Sequence, residues 1–152
     1  MSALSEYLVP YVVSNCVAVL LLIVAYLWPK VARWLFVGIF IAAGLFNVYT
    51  AITQPEAYLM FGGTALLRLY RDFIYGAFSQ YTTLFILLIA LGQLSVGVLL
   101  SRPDPLLRLG VIGACIFLAA IAPLGVGSAF PFSLIAIAAL IVMYRKLRAE
   151  NI

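Results

Sequence analysis

Apolar and polar positions divide this chain into long runs of one kind and short interruptions of the other. Residues 11–28 and 34–53 are almost wholly apolar, 54–80 is mixed, and 82–101, 106–124 and 130–144 are apolar again. The breaks carry the punctuation. Pro29-Lys30 follows the first run, Arg33 precedes the second and Pro55 closes it. Arg102-Pro103-Asp104-Pro105 follows the third, and Pro123, Gly125 and Gly127 weaken the end of the fourth. A helix of about 18 residues covers about 27 Å, enough for a hydrocarbon core of about 30 Å with help from the interfaces. The pattern predicts an all-α membrane protein with one domain: a bundle of five transmembrane helices with a short amphipathic extracytoplasmic cap at 54–80. Pro10 stands where the first helix is expected to open, since proline suits a helix's first turn.

The cap has its own pattern. Gly62-Gly63 predicts a break, with a short helix or re-entrant turn over 55–61 before it. After it, Thr64 is placed to cap a helix running to about Phe78. On that helix Leu66, Leu69, Tyr70, Phe73, Ile74 and Ala77 share one face. Arg68, Arg71, Asp72, Tyr75 and Ser79 share the other, and Arg68 and Asp72 are spaced to pair. This is the signature of a helix lying flat at a membrane surface, apolar side down.

Composition strengthens the membrane reading. The chain is 66% hydrophobic and 9% charged, with a mean hydropathy of +1.20. Soluble domains run at about 45–50% apolar and about 25% charged. The opening MSALSEYLVP has no basic region and carries Glu6, so the first run is expected to stay in the mature protein. Charge then sets orientation. With five crossings, Lys30, Arg33, Arg102, Arg108, Arg145, Lys146 and Arg148 fall on one side and only Arg68 and Arg71 on the other. Positive loops favour the cytoplasm, so the N-terminus and cap are expected outside and the C-terminus inside. Tyr7, Tyr11, Tyr49, Tyr58, Tyr70, Tyr75 and Tyr81 would then line the outer interface, and Tyr26, Trp28, Trp34 and Tyr144 the inner one.

The candidate chemistry is sparse. There is no histidine, which excludes His-ligated haem, His-built zinc sites and a His general base. Cys16 and Cys115 sit in apolar runs with no CxxC spacing; no disulfide is expected, and buried thiols of this kind act as small hydrophobes. No Asp, Glu, Lys or Arg falls at hydrocarbon depth, which speaks against an ion or proton path. The basic residues sit at span ends, where the membrane accounts for them, so nucleic acid is not an expected partner.

Neutral polar groups remain: Ser14, Asn15, Asn47, Thr50, Gln93 and Ser95. Asn15 and Asn47 both lie a turn or two below the outer surface and could meet. One reading is hydrogen bonding between helices, each bond contributing about 0.5–2 kcal/mol. The other is an outward-opening pocket roofed by the cap. Its candidate lining is Asn15, Asn47, Thr50, Tyr58, Tyr70, Arg68, Arg71, Asp72 and Gln93, which suits a quinone, a lipid headgroup or a pigment tail better than a small ion. The Arg68–Arg71–Asp72 face is either a solvated surface or a dock for an anionic partner, which arginine's fork of donors suits. Small residues cluster at Gly38, Ala42, Ala43 and Gly44, at Ala90, Gly92, Ser95 and Gly97, at Gly110, Gly113 and Ala114, and at Ala136, Ala138 and Ala139. They allow close helix contact, within the bundle or with a larger membrane complex.

From about Arg33 to Leu147 the layout resembles the DoxX-like family of small bacterial membrane proteins. The resemblance lies in the span RWLFVGIFIAAGLFNVYT, an extracytoplasmic insert, a span with GQLSVGVLL that ends in an arginine turn, then LRLGVIGACIFLAAIAPLG and a last apolar helix. The run 11–28 is an addition to the usual four spans. The resemblance implies a bacterial plasma membrane and a link to quinone-associated redox chemistry, and it transfers no catalytic residue. Three functions compete. The first is a non-catalytic accessory subunit of a larger membrane complex. The second is a quinone- or lipid-binding module of the DoxX-like kind. The third is a homo-oligomeric channel or transporter subunit. The partners expected are the lipid bilayer and either other membrane subunits or further copies of this chain.

Overall fold

A computed structural model describes residues 3–128 and 130–150, and no strand occurs among them. The first two helices, α1 (Ala3–Leu27) and α2 (Pro29–Thr53), are separated only by Trp28. Pro29 opens α2, where its fixed φ and missing N–H cost nothing. The next long helices are α5 (Thr82–Leu100) and α6 (Leu106–Ile121). A 3-10 segment (Ala122–Ser128) follows α6, and α7 (Phe132–Glu150) ends the described chain. Between α2 and α5 come a 3-10 turn (Pro55–Met60), the short helices α3 (Phe61–Thr64) and α4 (Arg68–Phe73), and a π-helical turn (Ile74–Phe78).

Four segments are long and apolar enough to cross a membrane: Leu8–Leu27, Pro29–Thr53, Thr82–Leu100 and Leu106–Gly125. The expectation of five is therefore met by four on length and composition. The apolar part of α7 stops at Tyr144, and Arg145, Lys146, Arg148 and Glu150 fill its last turns. Their outward faces carry large apolar side chains, among them Val12, Val13, Leu20 and Ile23 on α1 and Leu84, Leu88 and Leu91 on α5. Soluble proteins rarely expose contiguous patches of this kind; lipid accepts them. This is a membrane protein.

Helix α1 packs on α2 and α7, α2 on α5, α5 on α6, and α6 on α7, so the long helices close a ring. The main core lies inside it, built from Leu21, Phe36, Phe40, Val96, Leu100, Leu118, Leu140 and Met143 among others. The basic end is knitted by polar contacts. Lys146 Nζ sits 3.9 Å from the centroid of the Tyr26 ring, and Lys30 pairs with Glu150 at 3.4 Å. Tyr144 Oη donates to Asp104 at 3.4 Å. Arg33 donates from Nε to Leu100 O and from Nη2 to Arg102 O, each at 2.7 Å. Leu100 O is the last carbonyl of α5 and has no partner within the helix, so a cation there is favoured twice over.

Three local expectations fail. Pro10 lies inside α1 rather than in its first turn, because the helix already begins at Ala3. The cap is not one helix from Thr64 to Phe78. Thr64 ends α3, and the backbone is extended at Ala65 and Leu67 before α4 begins. In that extended stretch Leu66 N donates to Pro123 O at 2.8 Å, a partner distant in sequence. Gly76 then leaves helical geometry at φ −97°, ψ −108°. Nor do Gly62-Gly63 make the break. A Cβ on Gly62 would lie 2.6 Å from the Tyr75 ring, so glycine there admits the ring.

Candidate functional site

Asn47 lies on α2 about four residues short of the end of the buried stretch, and Gln93 lies midway along the facing helix α5. After α2 ends, Pro55 turns the chain back, and the 3-10 turn sets Tyr58 over the helix it has just left. Tyr58 Oη donates to Asn47 Oδ1, and Asn47 Nδ2 donates to Gln93 Oε1 at 2.5 Å. Thr50, one turn from Asn47, donates its own hydroxyl to Phe46 O at 2.9 Å and stands beside the Tyr58 phenol. Burial pushes the Tyr58 phenol above its usual range, and the Thr50 contact pulls it part of the way back. Tyr58 is therefore a neutral donor at ordinary pH. Gln93 and Thr50 are only 6% and 8% exposed.

The chain of bonds has a direction, phenol to amide to amide, and each bond polarises the next. It ends at Gln93 Nε2, whose N–H groups meet no acceptor among the described residues. Gln93 also forms part of the wall of a cavity of about 160 Å³. Phe36, Ile39, Phe40 and Ala43 of α2 line one side, Phe117, Leu118 and Ile121 of α6 and Phe132 and Ala136 of α7 the others. Above it, a wider open groove of about 600 Å³ runs between the 3-10 turn and the start of α5, past Glu56, Leu59, Tyr81, Thr82 and Leu84.

The structure gathers Asn47, Thr50, Tyr58 and Gln93, and separates the other candidates from them. Asn15 donates to Tyr11 O at 3.0 Å within α1. Among the described residues Asn47 bonds Tyr58 and Gln93 and makes no hydrogen bond to Asn15, so the expected meeting does not form. Tyr70 Oη donates to Ala120 O at 2.8 Å. With Leu66 N on Pro123 O and Thr64 Oγ1 on Leu124 O at 3.0 Å, it stitches the cap to the frayed end of α6. Pro123 and Gly125 break that helix, so its last carbonyls need outside donors; the cap supplies them. Gly125 itself adopts φ +71°, and a Cβ there would lie 2.4 Å from Thr64 O. Arg68 and Asp72 pair at 3.6 Å with side chains 88% and 64% exposed, and Arg71 is exposed as well. An exposed pair of this kind adds little stability, and none of the three joins the Asn47 group.

The small residues also divide. A Cβ on Gly44 would crowd Leu94, one on Gly97 would crowd Ile41, and one on Gly110 would strike the backbone of Leu99 and Leu100. Gly38 and Gly92 face open space. Sequence reasoning did not single out the cavity's phenylalanines or the Arg33 clamp. The phenylalanines look like any others in an apolar run. Arg33 read as a charge just before the second run; the structure places it inside α2. Among the described residues no group of three His, Cys, Asp or Glu could hold a metal. No family model, no curated protein and no solved structure matches this chain, and the likeness to the DoxX-like family rests on hydropathy order and a few glycines.

Proposed function

We propose that this chain is a non-catalytic membrane protein that holds a lipophilic molecule, a quinone or a lipid, between its helices beneath an extracytoplasmic cap. The observation that carries the reading is the directed chain Tyr58–Asn47–Gln93 ending at an apolar cavity. In this reading α7 makes a fifth, short crossing, which puts the knitted basic end in the cytoplasm and residues 54–80 outside a bacterial plasma membrane. The cap then works as a lid, fixed to α6 by its three stitches and to α2 by Tyr58.

The test is mass spectrometry of the intact particle purified in mild detergent. A lipophilic molecule should come with the wild type and be lost in Asn47→Leu. Equal retention by both would sink the reading. Orientation is tested separately with a cysteine at Ser79 in a chain lacking Cys16 and Cys115. It should react with an impermeant reagent from outside; reaction only after the membrane is opened would reverse the topology. A second reading, an accessory subunit of a larger membrane complex, is favoured by Gly38 and Gly92, which face outward with nothing against them. Stoichiometric partner proteins in the same spectrum would support it.

A further inference from the structure

The end of the ring opposite the cap holds more cations than its own groups engage. Lys30 is paired with Glu150, Lys146 lies on the Tyr26 ring, and Arg33 donates to Leu100 O and Arg102 O. Asp104 already accepts from Tyr144. Arg108, Arg145 and Arg148 are exposed and have no ion-pair partner among the described residues.

Helical geometry brings these three arginines to one seam. Gly110 of α6 faces α5, since a Cβ there would strike Leu99 and Leu100. Arg108, two residues earlier, lies about 200° round the helix at 3.6 residues per turn. It therefore stands away from α5, on the side of α6 that continues to α7 in the ring. On α7, Lys146 marks the side toward α1 and Tyr144 the side toward the turn before α6. Arg148 lies one turn beyond Tyr144, on that same side. Arg145 lies one turn beyond the exposed Ile141, on the outward face next to it.

The neighbours of the arginines decide the kind of anion. On α6, Arg108, Ile112 and Ile116 follow one another at four-residue spacing, all exposed. On α7, the exposed Ile141 and Leu134 continue the outward face of Arg145 away from the basic end. Each track has the order of a phospholipid, charge first and hydrocarbon next. A soluble anion would meet the guanidinium groups and leave the tracks bare, whereas a lipid covers both. An ethanolamine headgroup brings its own ammonium against the cluster. The phosphate of an acidic headgroup has no such opposition and accepts from a guanidinium fork two bonds at a time.

We infer that the seam between α6 and α7 at the basic end binds an acidic phospholipid, its phosphate among Arg108, Arg145 and Arg148 and its chains along Ile112, Ile116 and Ile141. The site lies outside the helix ring and at the far end from the cap, so it is independent of the lipophile held between the helices.

The experiment places the full chain in nanodiscs of equal parts palmitoyl-oleoyl-phosphatidylglycerol and palmitoyl-oleoyl-phosphatidylethanolamine. Native mass spectrometry then counts the lipids that stay with the released protein. The wild type should keep phosphatidylglycerol over phosphatidylethanolamine by about tenfold, within what two or three surface arginines supply. Arg108→Gln with Arg145→Gln should bring that ratio to about twofold or less. Arg68→Gln with Arg71→Gln removes the same charge from the cap and should leave the ratio near tenfold. Equal loss in the two double variants would reduce the effect to net charge and overturn the site. Equal retention of the two lipids by the wild type would overturn it without any variant. Glycerol phosphate, which has the acidic head and no chains, should not displace the lipid from the wild type. Displacement by it would assign the seam to a soluble anion and overturn the lipid.

Discussion

Where α1 turns into α2 the chain spends one residue, Trp28, outside a helix, and the core beside it is wholly apolar, from Phe36 to Met143 and Leu147. At the other end residues 54–81 pass through 3-10, α and π geometry. They cover a small cluster, Ala51, Ile74, Phe78 and Ile86, ringed by Tyr58, Phe61 and Phe85. Both ends seal a ring of helices. One does it with an apolar core fringed by single polar contacts such as the Arg33 clamp, the other with irregular turns tied by hydrogen bonds to a broken helix end. The lesson is a division of labour: the regular end fixes the fold, and the irregular end is where polar groups can be aimed.

The largest predicted effect tests that division directly. Phe36 is 2% exposed within the main core and Phe78 is 7% exposed under the cap. Phe36→Ala should cost about 4 kcal/mol, near the middle of the range for a buried aromatic truncated in a packed core. Phe78→Ala should cost under about half as much, since Phe73 and Phe85, at 6.0 and 5.6 Å, can close on the gap. Unfolding in mixed micelles reads both. Equal costs would mean that the cap is as tightly built as the core.

Next in size is Asn47→Leu, at about 2–3 kcal/mol, because it strips an acceptor from Tyr58 and a donor from Gln93 at one stroke. Replacing Asn47 and Gln93 together by leucine should recover part of the loss, since a matched pair removed whole leaves fewer unmet groups. A double variant worse than the single would contradict the pairing. Arg33→Lys follows, at about 1–2 kcal/mol. Lysine keeps the charge but cannot fork to Leu100 O and Arg102 O. The loss should appear as faster exchange of amides in the turn between α5 and α6, with the cap unchanged.

These residues also mark how far sequence could lead. The long helices were legible because apolar runs are punctuated by Trp28-Pro29, Gln54-Pro55 and the Arg102–Pro105 turn, all local signals. The grouping of Asn47, Thr50, Tyr58 and Gln93 was half legible. Polar residues in apolar runs stand out, but nothing local says that Asn47 meets Gln93, 46 residues away, rather than Asn15. The cap's path was illegible, because Leu66 N bonds to Pro123 O, a partner that only the fold supplies. Helical spacing over 66–78 pointed to one amphipathic helix; the extended backbone at Leu67 and the kink at Gly76 interrupt it.

A pH effect of smaller size belongs to the cap alone. Burial raises the folded-state value of the Tyr58 phenol above its ordinary 10.0. The stability that neutral Tyr58 contributes is therefore complete below pH 10 and is lost as pH rises through the raised value. Wild type and Tyr58→Phe should differ by a constant amount at neutral pH and converge in strong base. A constant gap throughout would mean that the phenol ionises at the same pH folded and unfolded, so that burial does not raise it.

The smallest effect has the opposite sign. Ser133, in the first turn of α7, is fully buried, and its Oγ has no hydrogen-bond partner among the described residues. It is the counterpart of Asn47: a neutral polar group inside the helix ring, but unpaired. Truncating a paired group destabilises; truncating an unpaired one removes a desolvation cost and loses only one oxygen's worth of packing. Ser133→Ala should therefore stabilise by about 1 kcal/mol, while Ser133→Val, which fills the space of the hydroxyl but adds bulk at a site with no exposed surface, should gain less or lose. If Ser133→Ala destabilises instead, the hydroxyl is engaged when the protein sits in its membrane. Polar groups at this level of the ring would then be held in pairs throughout, and the cap end would be no less fully bonded than the basic end.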